Sequence, residues 1–304
     1  MTDFHGLSAL ARAAGRALHW RALLLWWASL SLVALVAALP LYALLDAQLS
    51  HAIDAPRHAQ ALSLLVLGDV LGGAAKDTGS AWGVLAALWG TALLWPWLTG
   101  VMVAAVRLGR GTRLFALAAE GMREYGRQLR LLLWSLLPLA PFVAAGVWLM
   151  HVARERRLDA VLESTVDWTE RGALLAAVLL CLVPYLLTEL TRARIAARDD
   201  SRSVVVHWWR ALKLYLRRPL ATWALSLAIL VLGALPIAAL GWLRIAASGP
   251  GWGAWWLALG LTQLLTLAGG WLRLARLQVL AQLVEDDAVR RAIEADAWRY
   301  EEAA

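Results

Sequence analysis

Few side chains in this sequence combine the types and spacing that chemistry needs. His51, Asp54 and His58 stand at i, i+3 and i+7, which on one helix would share a face and suit a zinc ion. Pro56 falls inside that interval and would break such a helix, so the segment reads as a solvated, partly interfacial loop, and no metal is expected. Glu189 and Arg192 stand at i and i+3 where an apolar run ends. An ionisable residue within a membrane span is a candidate for proton relay or substrate contact, since desolvating it is costly. At so shallow a depth, a local ion pair with snorkelling side chains explains the same two residues. Thr262, Gln263 and Thr266 form a polar stripe that continues to Gly269, Gly270 and Arg273. Such residues glue helices together within lipid, or line a path where a broken helix exposes its backbone. His151 beside Arg154, Arg156 and Arg157 could grip an external phosphate. Glu155, Asp159, Glu163, Asp167 and Glu170 follow closely and weaken that reading, leaving a charged amphipathic helix. No nucleophile elbow, HExxH, phosphate-binding loop or dinucleotide fingerprint is present, so neither catalysis nor a cofactor is expected. Cys181 is the only cysteine, which excludes an intramolecular disulfide.

The elements that must position these residues are apolar. Of 304 residues, 61% are hydrophobic and 17% charged, and the mean hydropathy is +0.61. A hydrocarbon layer about 30 Å thick is crossed by roughly 20 apolar residues in a helix. Six segments meet that requirement: Leu18–Leu45, Ala81–Val106, Leu131–His151, Ala173–Leu190, Leu220–Leu243 and Trp252–Leu272. The first is too long for the core of a signal peptide and lacks a cleavage site, so it reads as a retained span. The expected fold is therefore all-α and polytopic, with six transmembrane helices.

With six spans both termini lie on one side. That side holds all of the 29 basic residues except Arg57, Lys76, Arg154, Arg156, Arg157, Arg171 and Arg244. The positive-inside rule makes it cytoplasmic. The pI near 10.3 then reflects arginines beside span ends, where each gains about 1 kcal/mol from anionic lipid, and no nucleic-acid motif accompanies them. Many of the 19 tryptophans, such as Trp20, Trp82, Trp134, Trp168, Trp252 and Trp255, fall at expected membrane boundaries and form an aromatic belt.

The connections on the basic side carry a pattern. Residues 112–134 set Leu114, Leu117, Ala118, Met122 and Tyr125 apart from Arg123, Arg127 and Arg130. Residues 203–223 set Val206, Trp209, Leu212 and Leu216 apart from Arg210, Lys213 and Arg217, and residues 6–27, which include Arg21, are a weaker third copy. These read as amphipathic helices lying flat among headgroups, or equally as packing faces against the other helices. Each contains an aromatic residue or histidine, any residue, then arginine: His19-Trp20-Arg21, Tyr125-Gly126-Arg127, Tyr215-Leu216-Arg217. A two-span hairpin follows each, and its second span carries Pro96, Pro184 or Gly269-Gly270, which are expected to break it. The chain so divides into three pseudo-repeated hairpins, 6–111, 112–202 and 203–284, within one membrane domain, with 285–304 a cytoplasmic helical tail.

This layout resembles the YciC family of bacterial inner-membrane proteins and the membrane domain attached to some glycerophosphodiester phosphodiesterases, in which an aromatic–any–basic helix precedes each hairpin. The resemblance covers most of the chain and carries over no catalytic residue, because the soluble phosphodiesterase domain has no counterpart here. The first expected function is a non-catalytic protein of a bacterial inner membrane that organises anionic lipid, or a membrane or cytoplasmic protein partner. The lipid-contact candidates are Arg21, Arg123, Arg127, Arg130, Arg210, Lys213 and Arg217. The alternative is a transporter or permease subunit whose pathway follows the broken even-numbered spans past Pro96, Pro184, Glu189, Gln263, Thr266, Gly269 and Arg273.

Overall fold

The computed structural model describes residues 14–49, 78–158, 163–198, 201–247 and 251–302. The His51, Asp54 and His58 segment and residues 1–13 lie outside them. Among the described residues there are a short helical stretch at 14–16, seven longer helices and no strand: α1 (Trp20–Leu49), α2 (Thr78–Leu108), α3 (Leu114–Leu158), α4 (Glu163–Ala197), α5 (Val204–Arg217), α6 (Pro219–Ala246) and α7 (Trp252–Glu302). All except α5 are long and apolar enough to cross a membrane. Each expected span falls within one of these six, the first beginning two residues late because α1 starts at Trp20. The protein is an all-α, multi-pass membrane protein.

Two boundaries differ from expectation. Residues 114–134 are the opening turns of α3, not a separate surface helix, because good helix formers run without a stop into the span. Residues 285–302 continue α7 instead of forming a distinct tail. The segment α5 stands apart from its span, since Pro219 follows Arg218. The residue before a proline is pushed out of the α region, and Arg218 has φ −135° and ψ 57°. The even-numbered spans are also unbroken: α2 and α4 run through Pro96 and Pro184, and α7 runs through Gly269 and Gly270.

Neighbours in sequence pack as hairpins, α1 on α2, α3 on α4 and α6 on α7, while α2 on α3 and α4 on α7 join the hairpins. The second helices α2, α4 and α7 also touch one another and so occupy the middle. The core is not spread along the bundle. It gathers at the end where α2, α4 and the middle of α7 meet: Leu98 and Val101–Ala105, Leu117 and Leu131, Leu190 and Ile195, Leu274 and Leu280. We call this the basic end. At the other end Leu35, Trp89, Trp148, Leu175, Leu235 and Trp256 are exposed, an apolar surface that suits hydrocarbon and not water. Two close contacts need glycine. A Cβ on Gly100 would lie 2.6 Å from the Gly121 carbonyl oxygen where α2 crosses α3, and one on Gly270 would lie 2.6 Å from Trp26 of α1.

Candidate functional site

The polar groups that the sequence singles out as pathway candidates converge, but on one another. Glu189 of α4 is buried and lies 2.5 Å from Arg192 Nη1, one turn on. Its second oxygen is 3.5 Å from Arg276 Nη2 of α7, and the oxygen that meets Arg192 is 3.9 Å from Arg273 Nη2. Arg276 also donates to the Tyr185 hydroxyl and covers that ring. Arg273 stacks over Trp95 at 4.4 Å and over Trp26 at 5.5 Å, tying α2 and α1 to α7 through cation–π contacts. Trp26 Nε1 donates to the Thr266 carbonyl at 3.2 Å, and Gln263 Oε1 accepts from Trp27 Nε1 at 2.6 Å and from Ser31 at 3.1 Å. Pro96 and Pro184 are buried beside this cluster's helices. Gly269 has open space around its Cα, whereas Gly270 meets Trp26. The stripe on α7 therefore joins helices.

A second ionic group clamps α2 to α3 at the basic end. Arg107 Nη2 is 2.7 Å from Glu120 and its Nη1 2.9 Å from Glu124, and Glu124 is also 3.2 Å from Arg127. Sequence reasoning missed Arg107, Glu120 and Glu124. The available signal was local: Glu120 and Glu124 are the only acids between residues 107 and 134, among six arginines.

The lipid-contact candidates divide. Arg21 Nη1 donates to the carbonyls of Gly111 and Thr112 at 3.2 and 2.7 Å, in the connection after α2. Arg127 Nη2 donates to the Ser201 carbonyl at 3.1 Å, in the connection after α4. His19 and His207 brace the same two connections, their Nε2 atoms 3.0 Å from the Gly109 carbonyl and 2.8 Å from that of Ser201. Arg123 reaches Glu120 at 3.0 Å and is otherwise in the open. The remaining four candidates line cavities.

Arg130 and Arg202 line a cavity of about 650 Å³ together with Leu133, Trp134, Leu137, Val204 and Val205, so that two guanidinium groups and an apolar surface share one space. Arg210, Lys213 and Arg217 line a different cavity of about 540 Å³ between α4, α5 and α7, together with Arg194, Arg198 and Arg291. Asp287 also lines it, 2.8 Å from Arg291 and 3.5 Å from Arg218. Nothing in the sequence announced that Arg194, Arg198 and Arg291 would join the α5 residues, because that depends on how α4 and α7 pack.

A groove of about 840 Å³ between α3 and α4 is lined by apolar residues such as Val143, Val147, Val178 and Cys181, with His151 and Arg154 at one end. His151 Nε2 lies 3.3 Å from Glu155 on an exposed face, an i, i+4 surface pair. Comparison with protein-family models, with curated proteins and with solved structures finds no match to this chain.

Proposed function

We propose that this is a non-catalytic, multi-pass protein of a bacterial inner membrane that organises anionic lipid at its cytoplasmic face. The cavity under Arg130 and Arg202 carries the reading. Two guanidinium groups suit a lipid phosphate, and Leu133, Trp134 and Leu137 in the same cavity suit the start of an acyl chain. Exposed Phe115, Met122, Trp209 and Leu216 lie among the arginines of the same end, the mixture that favours the headgroup zone. The excess of arginine on this side supports a cytoplasmic position for it by the positive-inside rule, with both termini there. The three hairpins, each preceded by an aromatic–any–basic segment, are read as a repeated unit.

The alternative, a transporter or permease subunit, draws less support. Its pathway would pass Pro96, Pro184 and Gly269, where the helices are continuous and the middle is filled by the Glu189 cluster, Trp26 and Trp95. A docked membrane or cytoplasmic protein remains compatible with the exposed turns of α3 and α7 at the basic end.

The test is native mass spectrometry of the full chain from nanodiscs containing equal phosphatidylcholine and phosphatidylglycerol. The expected result is enriched phosphatidylglycerol on the protein, reduced when Arg130→Gln and Arg202→Gln are combined. Retention of both lipids in the ratio supplied would overturn the reading. A stoichiometric second polypeptide carried over from the native membrane would replace it with the partner-complex alternative.

A further inference from the structure

The groove between α3 and α4 shares no residue with the cavity that holds Arg130 and Arg202. We propose that it is a second lipid site, which holds an acyl chain of one anionic phospholipid from the leaflet opposite the basic end, with the phosphate at Arg154. The groove follows from helical spacing. On α3, Leu139, Val143, Val147 and Met150 recur at i, i+4, i+8 and i+11, and on α4 Ala177 and Cys181 recur at i and i+4, so each helix gives one face to it. The two helices approach closely at Gly146, where an added Cβ would lie 3.3 Å from the Ala177 Cβ. Gly146, Ala177 and Cys181 are small, and larger side chains there would occupy the space.

The lining decides what fills it. Both helices are long and apolar enough to cross a membrane, so the groove lies among hydrocarbon chains. Its polar side chains are His151, Arg154, the Cys181 thiol and Tyr185, and the Tyr185 hydroxyl already accepts from Arg276. Water would find too few partners along it, and a void would forfeit dispersion contacts. Size separates a lipid chain from a helix of a second copy. About 840 Å³ spread over the ~23 Å from Leu139 to Arg154 gives a mean cross-section of about 37 Å². A helix 10 Å across needs roughly 80 Å². An extended alkyl chain fits where a helix does not.

Arg154 stands at the depth of a headgroup. Gly146 and Ala177 face each other in an antiparallel hairpin. Eight residues onward α3 reaches Arg154, and eight residues back α4 reaches Thr169, next to the exposed Trp168. Arg154 is then about 12 Å from the Gly146 contact and level with an aromatic side chain of the kind that marks the membrane boundary. His151 is answered by Glu155 at 3.3 Å, so Arg154 is the group that offers a phosphate its donor fork. From there the groove runs inward for ~23 Å, against the roughly 15 Å of hydrocarbon that one leaflet contributes. The site uses neither Arg130 nor Arg202, and it does not depend on which side of the membrane is cytoplasmic.

The test uses the full chain in nanodiscs of equal phosphatidylcholine and phosphatidylglycerol, with a trace of phosphatidylglycerol that bears a photoactivatable diazirine on one acyl chain. Adducts are mapped by peptide mass spectrometry. The proposal expects them to concentrate on Val143, Val147 and Val178 over Leu232 and Leu235, which are exposed on α6. Arg154→Gln, a change to one exposed side chain, should lower the groove adducts about fivefold or more, and Arg244→Gln less than about twofold. Cys181→Phe, which fills the groove, should lower them as far, while Val231→Phe on the exposed side of α6 should not. Should Cys181→Phe unfold early, Arg154→Gln decides alone. Adducts spread evenly over the groove and α6 mean a fluid lipid annulus and overturn the site. Equal labelling of the groove by a phosphatidylcholine probe overturns it as well. A cross-link between two chains through the groove replaces the lipid with a second copy. Groove labelling without enrichment of phosphatidylglycerol at Arg130 and Arg202 leaves the site standing and removes the lipid reading of the basic end. Enrichment that is lost with Arg130→Gln and Arg202→Gln, in the absence of groove labelling, does the reverse.

Discussion

Glu189 is one carboxylate among three guanidinium groups, and that imbalance sets its weight. With it present, Arg192, Arg276 and Arg273 are held around a common acceptor between α4 and α7. Removing one partner of a buried ionic group costs about 3–5 kcal/mol, because the charges left behind lose their compensation. Glu189→Gln should therefore lower the thermal midpoint in detergent by many degrees, while Arg123→Gln, on an exposed side chain, should leave it within a degree or two. A Glu189 variant as stable as the parent would remove the cluster from the account of the fold. Gly269 and Gly270 give a second contrast. Gly270→Ala puts a Cβ against Trp26, for about 1–3 kcal/mol of overpacking, whereas Gly269→Ala meets nothing and gains helix propensity. Opposite shifts in midpoint are expected from two adjacent substitutions of the same type. The sequence made Glu189 and Arg192 visible as an i, i+3 pair at a span end. It could not supply Arg273 and Arg276, since their arrival depends on which spans are neighbours.

At the scale of elements, hydropathy defined the six spans because hydrocarbon demands long apolar runs with every backbone group satisfied within the helix. It was silent on where a span ends once outside lipid. Residues 114–130 and 285–302 are polar enough to read as separate pieces, yet nothing in them stops a helix, so they extend α3 and α7. Pro219 marks a true division, and the displaced backbone of Arg218 is its result. Pro96 and Pro184 are of the same type but lie inside a helix held by neighbours, and Thr99 and Thr188 donate to their carbonyls at 2.8 and 2.9 Å. The α2–α3 crossing depends on Gly100 and Gly121. Gly121→Val would drive a branched side chain into Val101 and separate the helices, and a fall in midpoint equivalent to at least about 1–3 kcal/mol is expected. Gly126→Ala, on the same helix with open space around it, should instead stabilise by up to about 1 kcal/mol. Thermal unfolding of the two variants side by side decides whether close approach, and not glycine content, holds α3 in place.

For the whole molecule, length and burial argue together. At 1.5 Å per residue the 45 residues of α3 span ~68 Å and the 51 of α7 ~77 Å, against about 30 Å of hydrocarbon. The surplus must leave the bilayer. The buried core and the Arg107–Glu120–Glu124 clamp lie at the basic end, so the surplus of both helices packs there into a body outside the hydrocarbon, and the exposed leucines and tryptophans of the other end face lipid. That arrangement fixes which residues share a side, whatever the orientation. With Cys181→Ser as background, cysteines placed singly at Arg113, Lys213 and Arg290 should all react with a membrane-impermeant maleimide under one condition. A cysteine at Arg244, across the bundle beside Thr262, should react under the opposite one. Labelling of the first three only after the inner membrane is opened places the basic end in the cytoplasm, the outcome the positive-inside rule predicts. Labelling of the first three in intact spheroplasts inverts the protein and removes the anionic cytoplasmic leaflet as its partner. Reaction of Arg244 together with Lys213 would contradict an odd number of crossings between them, and with it the six-span arrangement itself.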